Sequence, residues 1–175
     1  TGGLVVAEDS DGEDVALFED IIRVEKKFYG DWSKETRQLL ADGDALAALP
    51  REVSDSLEGG VFVNGLVAYD AHGEIVHERR LNGAVIEQCA AFAAEHGFAP
   101  VAYDRDRLYT SMITPRTEEL ADRYYEPRPV VGSLDRDARA NKILLLGDAD
   151  ALAAARPALA ELLGTEASLT VAIPT

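Results

Sequence analysis

Cysteine is almost absent from this sequence, since Cys89 is the only one among 175 residues. A disulfide within the chain is therefore excluded. Cys89 lies on a helical pattern between Val85 and Phe92, and free thiols in such apolar surroundings are usually buried. The sequence predicts an inert, packed thiol at this position rather than a nucleophile.

The sequence also lacks long apolar runs and has little positive charge, which argues against membrane-spanning and nucleic-acid-binding proteins. No apolar run approaches the roughly 18 residues of a transmembrane helix, so we expect no membrane insertion. Positive charge is scarce, because 17 lysines and arginines face 32 aspartates and glutamates, for a formal net charge of -15. A nucleic-acid backbone or an anionic membrane repels such a chain, so neither is an expected partner. Without a signal-peptide pattern, we expect a soluble intracellular protein of the cytoplasm or of an organelle matrix such as the plastid stroma.

The remaining composition is that of a globular protein, with 47% hydrophobic and 28% charged residues. The histidines His72, His77 and His96 share no spacing typical of metal ligands, so no metal site is predicted among them. A calcium-binding EF-hand loop that starts at Asp9 is also excluded. Asp14 occupies the position that requires glycine in such a loop.

Hydrophobic periodicity and capping residues predict a chain of strands and helices, most clearly after residue 61. The expected strands cover residues 4–7, 61–69, 74–79, 99–103, 108–113, 142–146 and 168–173. The expected helices run from 34 to about 40, from Asn82 to Gly97, from Pro115 to about Tyr124, and from Asp148 to Gly164 with a kink or restart at Pro157. This order predicts an α+β fold, with a mixed or antiparallel sheet and helices on one face.

Five stretches of the sequence, in this order, resemble one known family. They are VFVNGLVAYD at 61–70, AAFAAEHGFAPVAYDRDRLYT at 90–110, TEELADRYYEPRPVVGSL at 117–134, NKILLLGDADALAAARPALAELLG at 141–164 and ASLTVAIPT at 167–175. Together they resemble the cap region of haloacid dehalogenase (HAD)-like hydrolases of the Cof type. The resemblance implies a cap-like α+β domain over residues 66–175, preceded by a small remnant of an α/β catalytic core over residues 1–65. Asn64-Gly65 is then the crossover between the two layers.

In that family the core opens with a strand followed by Asp-x-Asp-Gly-Thr, and LVVAEDSDGED at 4–14 resembles this motif. The resemblance implies that Asp9 is the phosphate-accepting nucleophile and that Asp11 is the general acid and base. A carboxylate attacks phosphorus only when a cation such as Mg²⁺ neutralises the charge between the two anions. Glu13, however, stands where the family has threonine.

The second motif of the family departs further. Its nearest counterpart, LLADGDALAAL at 39–49, has Asp42 in place of a hydroxyl that holds the phosphoryl group and Asp44 in place of an arginine. An extra carboxylate repels phosphate there. We also expect the family's phosphate-binding lysine and last acidic metal ligands to be missing. The sequence therefore favours a degenerate core without phosphatase activity and without a cofactor, Mg²⁺ being required only if the chain is active.

The turn Asp104-Arg105-Asp106-Arg107 is the other candidate site. The cap hairpin of such hydrolases faces the active site, so the resemblance implies that these four residues contact the substrate. A solvated polar turn between two strands is the alternative interpretation.

Two functions remain open. The first is a non-catalytic HAD-like protein that acts as a binding or structural subunit, with a protein partner in a larger assembly. The second is a Mg²⁺-dependent phosphatase of small phosphorylated metabolites, of which this sequence is one piece. The first requires an apolar edge or face that a partner buries. The second requires Asp9 at the end of a strand, together with a lysine and an acidic pair supplied from elsewhere.

Overall fold

The computed structural model describes residues 2–7, 59–63, 66–70, 72, 74–124 and 126–172. Within these ranges the chain forms nine strands and three helices. The strands are β1 (Gly2–Ala7), β2 (Gly59–Phe62), β3 (Val67–Asp70), β4 (Ile75–Glu78), β5 (Ala99–Asp104), β6 (Arg107–Thr110), β7 (Val130–Val131), β8 (Lys142–Gly147) and β9 (Ser168–Ala172). The helices are α1 (Gly83–His96), α2 (Pro115–Tyr124) and α3 (Ala149–Leu163). The predicted helix at 34–40 lies outside the described residues.

The larger sheet has six strands, in the order β7-β6-β5-β8-β1-β9. Neighbouring strands are antiparallel except β6 and β7, which are parallel, so the predicted mixed sheet is confirmed. β1 lies between β8 and β9, with Val6 opposite Ile143 on one side and Leu169 on the other. β8 and β9 therefore run in the same direction, and α3 carries the chain from one to the other across β1.

Helices cover both faces of this sheet. Ile143 and Leu145 of β8 pack on one face, with buried side chains of α1 and α3. Leu144 and Leu146 point to the opposite face and pack there with Leu120 of α2. Alternate residues of a strand point to opposite faces, so the unbroken apolar run of a central strand has to be covered on both. The prediction that all helices lie on one face was therefore wrong.

Capping side chains fix the ends of α1 and the start of α3. Asn82 accepts a hydrogen bond from the Ala84 N–H at 3.0 Å, and Gly97 ends the helix with a φ of 70°. Asp148 accepts from the backbone amides of Asp150 and Ala151, both at 3.1 Å. These contacts satisfy amides that have no partner within the helix, and they confirm the two predicted helices.

The prolines of α2 and α3 occupy different positions. Pro115 is the first residue of α2, where its missing N–H costs nothing. Before it, the Thr114 and Thr117 hydroxyls each accept from the other residue's backbone N–H, at 3.2 and 2.8 Å. Pro157 lies inside α3 and does not divide it, so of the two predicted alternatives, a kink or a restart, the restart was wrong.

The smaller sheet consists of three antiparallel strands in the order β2-β3-β4. Val61 lies opposite Ala68 and Phe62 opposite Val67, so the chain reverses between β2 and β3. A single strand over 61–69, with a crossover between layers at Asn64-Gly65, was therefore a wrong prediction. Asn-Gly is the dipeptide that two-residue hairpin turns favour, and a hairpin is what the flanking strands form here.

The predicted domain boundary after residue 65 falls between the paired strands β2 and β3. β1, which the sequence assigned to the first unit, is a central strand of the six-stranded sheet. The hydrogen-bonded sheets thus run across the predicted boundary. No helix of the described ranges combines the length and apolarity that crossing a bilayer demands.

Candidate functional site

The turn that was predicted to contact substrate joins β5 to β6. Asp104 and Arg107 are paired across the hairpin, so Arg105 and Asp106 form a two-residue turn. Arg105 has a φ of 58°, a left-handed conformation that is uncommon for residues other than glycine. Such a conformation costs about 1–3 kcal/mol, so its surroundings have to hold it in place.

Glu78 at the end of β4 and Asn141 before β8 hold Arg105. The guanidinium donates from Nε to Glu78 Oε1 and from Nη2 to Glu78 Oε2, both at 2.9 Å. The Arg105 backbone N–H donates to Asn141 Oδ1 at 2.8 Å. Paired, charge-assisted hydrogen bonds of this kind are strong and strongly directional. The side chain and the backbone of Arg105 are therefore both fixed.

Glu78 also binds a second arginine, because Arg80 Nη2 lies 2.7 Å from its Oε1. The pKa of Glu78 falls from 4.5 to about 2, with the hydrogen bond from Arg105 as the largest cause. The same hydrogen bond raises the pKa of Arg105. Glu78 is thus a carboxylate at neutral pH, and a carboxyl group with so low a pKa is a poor general acid or base.

Arg80 and Asp104 form the next contact. Nη1 of Arg80 lies 2.8 Å from Oδ1 of Asp104, and the two side chains are 21% and 22% exposed. The atoms are not aligned for a hydrogen bond, and neither has such a partner among the described residues. The two opposite charges therefore attract each other as an ion pair, without a hydrogen bond between them.

Asn141 connects these groups from the interior, where it is fully buried. Its Nδ2 donates to the Arg79 carbonyl at 2.6 Å and to Glu78 Oε1 at 3.3 Å. Its backbone N–H donates to the Tyr103 carbonyl at 2.6 Å. The carboxamide therefore ties the end of β4, the hairpin turn and the start of β8 together. We call the five residues the joint cluster: Glu78, Arg80, Asp104, Arg105 and Asn141.

Asp106 and Arg107 are the members of the predicted turn that are exposed. A hydrogen bond with Tyr109 is the main cause that raises the pKa of Arg107. Asp106 lies close enough to Tyr69 of β3 to raise its pKa, although burial has the larger effect. The four turn residues thus divide into two that are held in the joint cluster and two that face solvent.

Sequence reasoning missed Glu78, Arg80 and Asn141. The charged end of the strand at 74–79 was visible as the segment HERRL at 77–81. No local pattern, however, connects this segment with a turn almost thirty residues later, and nothing around Asn141 marks it as buried.

The predicted catalytic residues Asp9 and Asp11 lie outside the described residues, as do Glu13, Asp42 and Asp44. β1 ends at Ala7. In the part of the chain that the structure describes, no group of three or more His, Cys, Asp or Glu side chains is placed to hold a metal ion.

Cys89 is buried on the inner side of α1. Burial raises the pKa of its thiol to about 12. Only the thiolate is nucleophilic; the predicted burial of Cys89 is confirmed, and its inertness stays a prediction.

The outer edge of the larger sheet is apolar at β7. Val130 and Val131 are 53% and 67% exposed, and Met112 and Ile113, which follow the adjacent strand, are 59% and 44% exposed. Sheet edges with large exposed apolar side chains are typical of surfaces that another element or molecule covers. We call these four residues the β7 edge.

The arrangement of strands and helices has a counterpart among solved structures. BT1666, a phosphatase of the haloalkanoate (HAD) enzyme superfamily from Bacteroides thetaiotaomicron, matches with a TM-score of 0.54 and 16% sequence identity. The chain has a HAD-like fold. The match covers 76% of this chain and 56% of the phosphatase, so the chain spans little more than half of that protein's length. At this identity the likeness concerns the fold.

The chain is also similar in sequence to a plant protein. It is 27% identical over 118 residues to a protein of Arabidopsis thaliana named Endoribonuclease YBEY, chloroplastic. The match covers 65% of this chain and 20% of the plant protein, so the chain spans only one fifth of that relative's length. No protein-family model matches the chain.

Proposed function

We propose that this HAD-like chain, which combines a Cof-type cap-like region with a degenerate catalytic core, is a binding or structural part of a larger polypeptide or assembly. In this proposal it does not hydrolyse phosphate esters. The observation that carries the proposal is the commitment of Asp104 and Arg105 to ion pairs with Arg80 and Glu78. Charges that are already paired with other residues of the chain are poorly placed to bind a phosphorylated substrate.

The β7 edge supports the same proposal. A subunit that works through a protein partner needs apolar surface which that partner can bury. Val130 and Val131 offer such surface at the end of the sheet, and both are more than half exposed.

The sequence match with the plant protein adds a second kind of support. A segment similar to this chain makes up one fifth of a protein whose name gives a different activity, endoribonuclease. Such a segment can therefore belong to a longer polypeptide that is not named as a phosphatase. The chloroplastic location in the same name fits a plastid stroma for this chain.

A Mg²⁺-dependent phosphatase of small phosphorylated metabolites is the second candidate function. The fold likeness to a HAD phosphatase favours it. In that case Asp9 and Asp11 act as nucleophile and acid–base residue, and Asp106 and Arg107 are the turn residues that a substrate meets first.

Hydrolysis of p-nitrophenyl phosphate by the full chain separates the two candidates. We expect no turnover above the buffer blank, either with Mg²⁺ or with EDTA. Mg²⁺-dependent turnover that is lost in Asp9→Asn and retained in Asp14→Asn, a neighbouring carboxylate outside the motif, would overturn the non-catalytic proposal and establish the second candidate.

A further inference from the structure

The two sheets meet at the segment that leaves β4. The Leu81 N–H donates to the Ala140 carbonyl at 2.9 Å, and Asn141 Nδ2 donates to the Arg79 carbonyl at 2.6 Å. Both bonds hold the backbone of the segment between β4 and α1 against the start of β8. A segment held in this way has little freedom to act as a hinge.

Strained backbone is concentrated at the same place. Among the described residues, Val63 and Arg105 are the two non-glycine residues with positive φ, 53° and 58°. Val63 belongs to the turn of the smaller sheet and packs on the apolar cluster of the larger one. Arg105 belongs to the larger sheet and bonds Glu78 of the smaller one. Each strained residue therefore makes contact across the junction of the sheets.

Strain of this kind persists only where surrounding contacts over-determine the conformation. Glycine adopts a left-handed turn position without cost, yet this sequence has arginine at 105. The guanidinium and backbone amide bonds of Arg105 are the contacts that offset the strain. Unlike glycine, arginine at this position has a side chain that bonds Glu78 of the neighbouring sheet.

We propose that the joint cluster is a latch that holds the three-stranded sheet in one orientation on the six-stranded sheet, so that the two move as a single unit. Arg105 and Glu78 close the latch, and Asn141 positions both. The latch is a property of the described fold and holds whether or not the chain is an enzyme.

Hydrogen exchange of the full chain, followed by mass spectrometry, tests the latch. The variants are Glu78→Gln, Arg105→Gly and Arg105→Lys, which removes the paired hydrogen bonds but keeps the charge. We expect amides of residues 67–78 to exchange about tenfold faster in the first two variants and a few-fold faster in Arg105→Lys. Amides of 143–146 in the larger sheet should change less than about twofold in all three.

Arg123→Lys is the matched control, because Arg123 pairs at 2.8 Å with Glu119 of the same helix, α2, and not with a residue of the joint cluster. It should leave exchange in both sheets unchanged. The latch is refuted if the two sheets speed up together, which is global destabilisation, or if residues 67–78 exchange no faster. Slower exchange in Arg105→Gly would also refute it, because relief of strain would then outweigh the lost contacts.

Discussion

Arg105 and Glu78 form a two-pronged ion pair, with both carboxylate oxygens accepting at 2.9 Å. The two residues belong to different sheets and lie 27 positions apart in the chain. The pair connects the exit of β4 with the β5–β6 turn and lies on the buried Asn141. Two of the four charged residues in this turn, Asp104 and Arg105, are thus in ion pairs with other residues of the chain.

The pH dependence of stability should report this pair. The pKa of Glu78 in the folded chain, about 2, lies below its ordinary value of 4.5. Its stabilisation is therefore fully present above pH 4.5 and is lost as the pH falls from there towards 2. The carboxylate faces Arg80, Arg105 and Asn141, and it is 16% exposed. We expect it to contribute about 1–3 kcal/mol after allowance for solvent screening.

Urea unfolding at pH 7 and at pH 3 measures that contribution. In Glu78→Gln the free energy of unfolding should be lower at pH 7, and the difference from wild type should shrink at pH 3. Glu87→Gln is the control, since Glu87 is 49% exposed and pairs with Arg136 on the surface. If the two variants lost the same unfolding free energy at pH 7, Glu78 would stabilise the fold no more than an exposed surface carboxylate does.

Asn141 should be among the costliest polar residues to replace. Asn141→Ala removes the partner of the Arg105 amide and of the Arg79 carbonyl within the protein interior. Leaving buried groups unsatisfied predicts a loss of about 2–4 kcal/mol. Asn82→Ala removes only an exposed helix cap and should cost about 1 kcal/mol. Urea unfolding of the two variants measures both losses of unfolding free energy. Equal losses would mean that the interior hydrogen bonds of Asn141 stabilise the fold no more than an exposed helix cap does.

Cys89 offers a direct test of the core. Its thiol is buried in α1 and its pKa is raised to about 12, so at pH 8 almost none of it is thiolate. We expect DTNB to label the native chain only as fast as the chain unfolds, and to label it fully within minutes in guanidinium chloride. Rapid labelling of the native chain would show that α1 does not pack as described.

The sequence predicted α1, α2 and α3 well because their ends are set by neighbouring residues. Asn82 and Gly97 act within a turn of the helix that they cap, and Pro115 within its first turn. Burial of Cys89 followed from the same periodicity. These signals are local, so a single sequence contains them.

The errors concern contacts between distant residues. The pairing of β1 with β8 joins Leu4 to Leu145, and no pattern in residues 4–7 indicates that partner. The presence of α2 on the opposite face depends on which side of the sheet Leu120 reaches. The ion pair of Glu78 is equally non-local. The hairpin between β2 and β3 is the exception among the errors, because the dipeptide Asn64-Gly65 is a local signal for a hairpin. It was instead interpreted as a crossover between layers.

A double-mutant cycle on Glu78→Ala and Arg105→Ala tests the central claim most directly. Residues in direct contact have interaction energies of about 0.5–3 kcal/mol, and we predict at least about 1 kcal/mol for this partly exposed, two-pronged pair from urea unfolding at pH 7. The same cycle on Glu87 and Arg136, an exposed pair at 3.0 Å, should give less than about 0.5 kcal/mol. An interaction energy near zero for Glu78 and Arg105 would contradict the account, because Arg105 would then be free to serve a ligand instead of the fold.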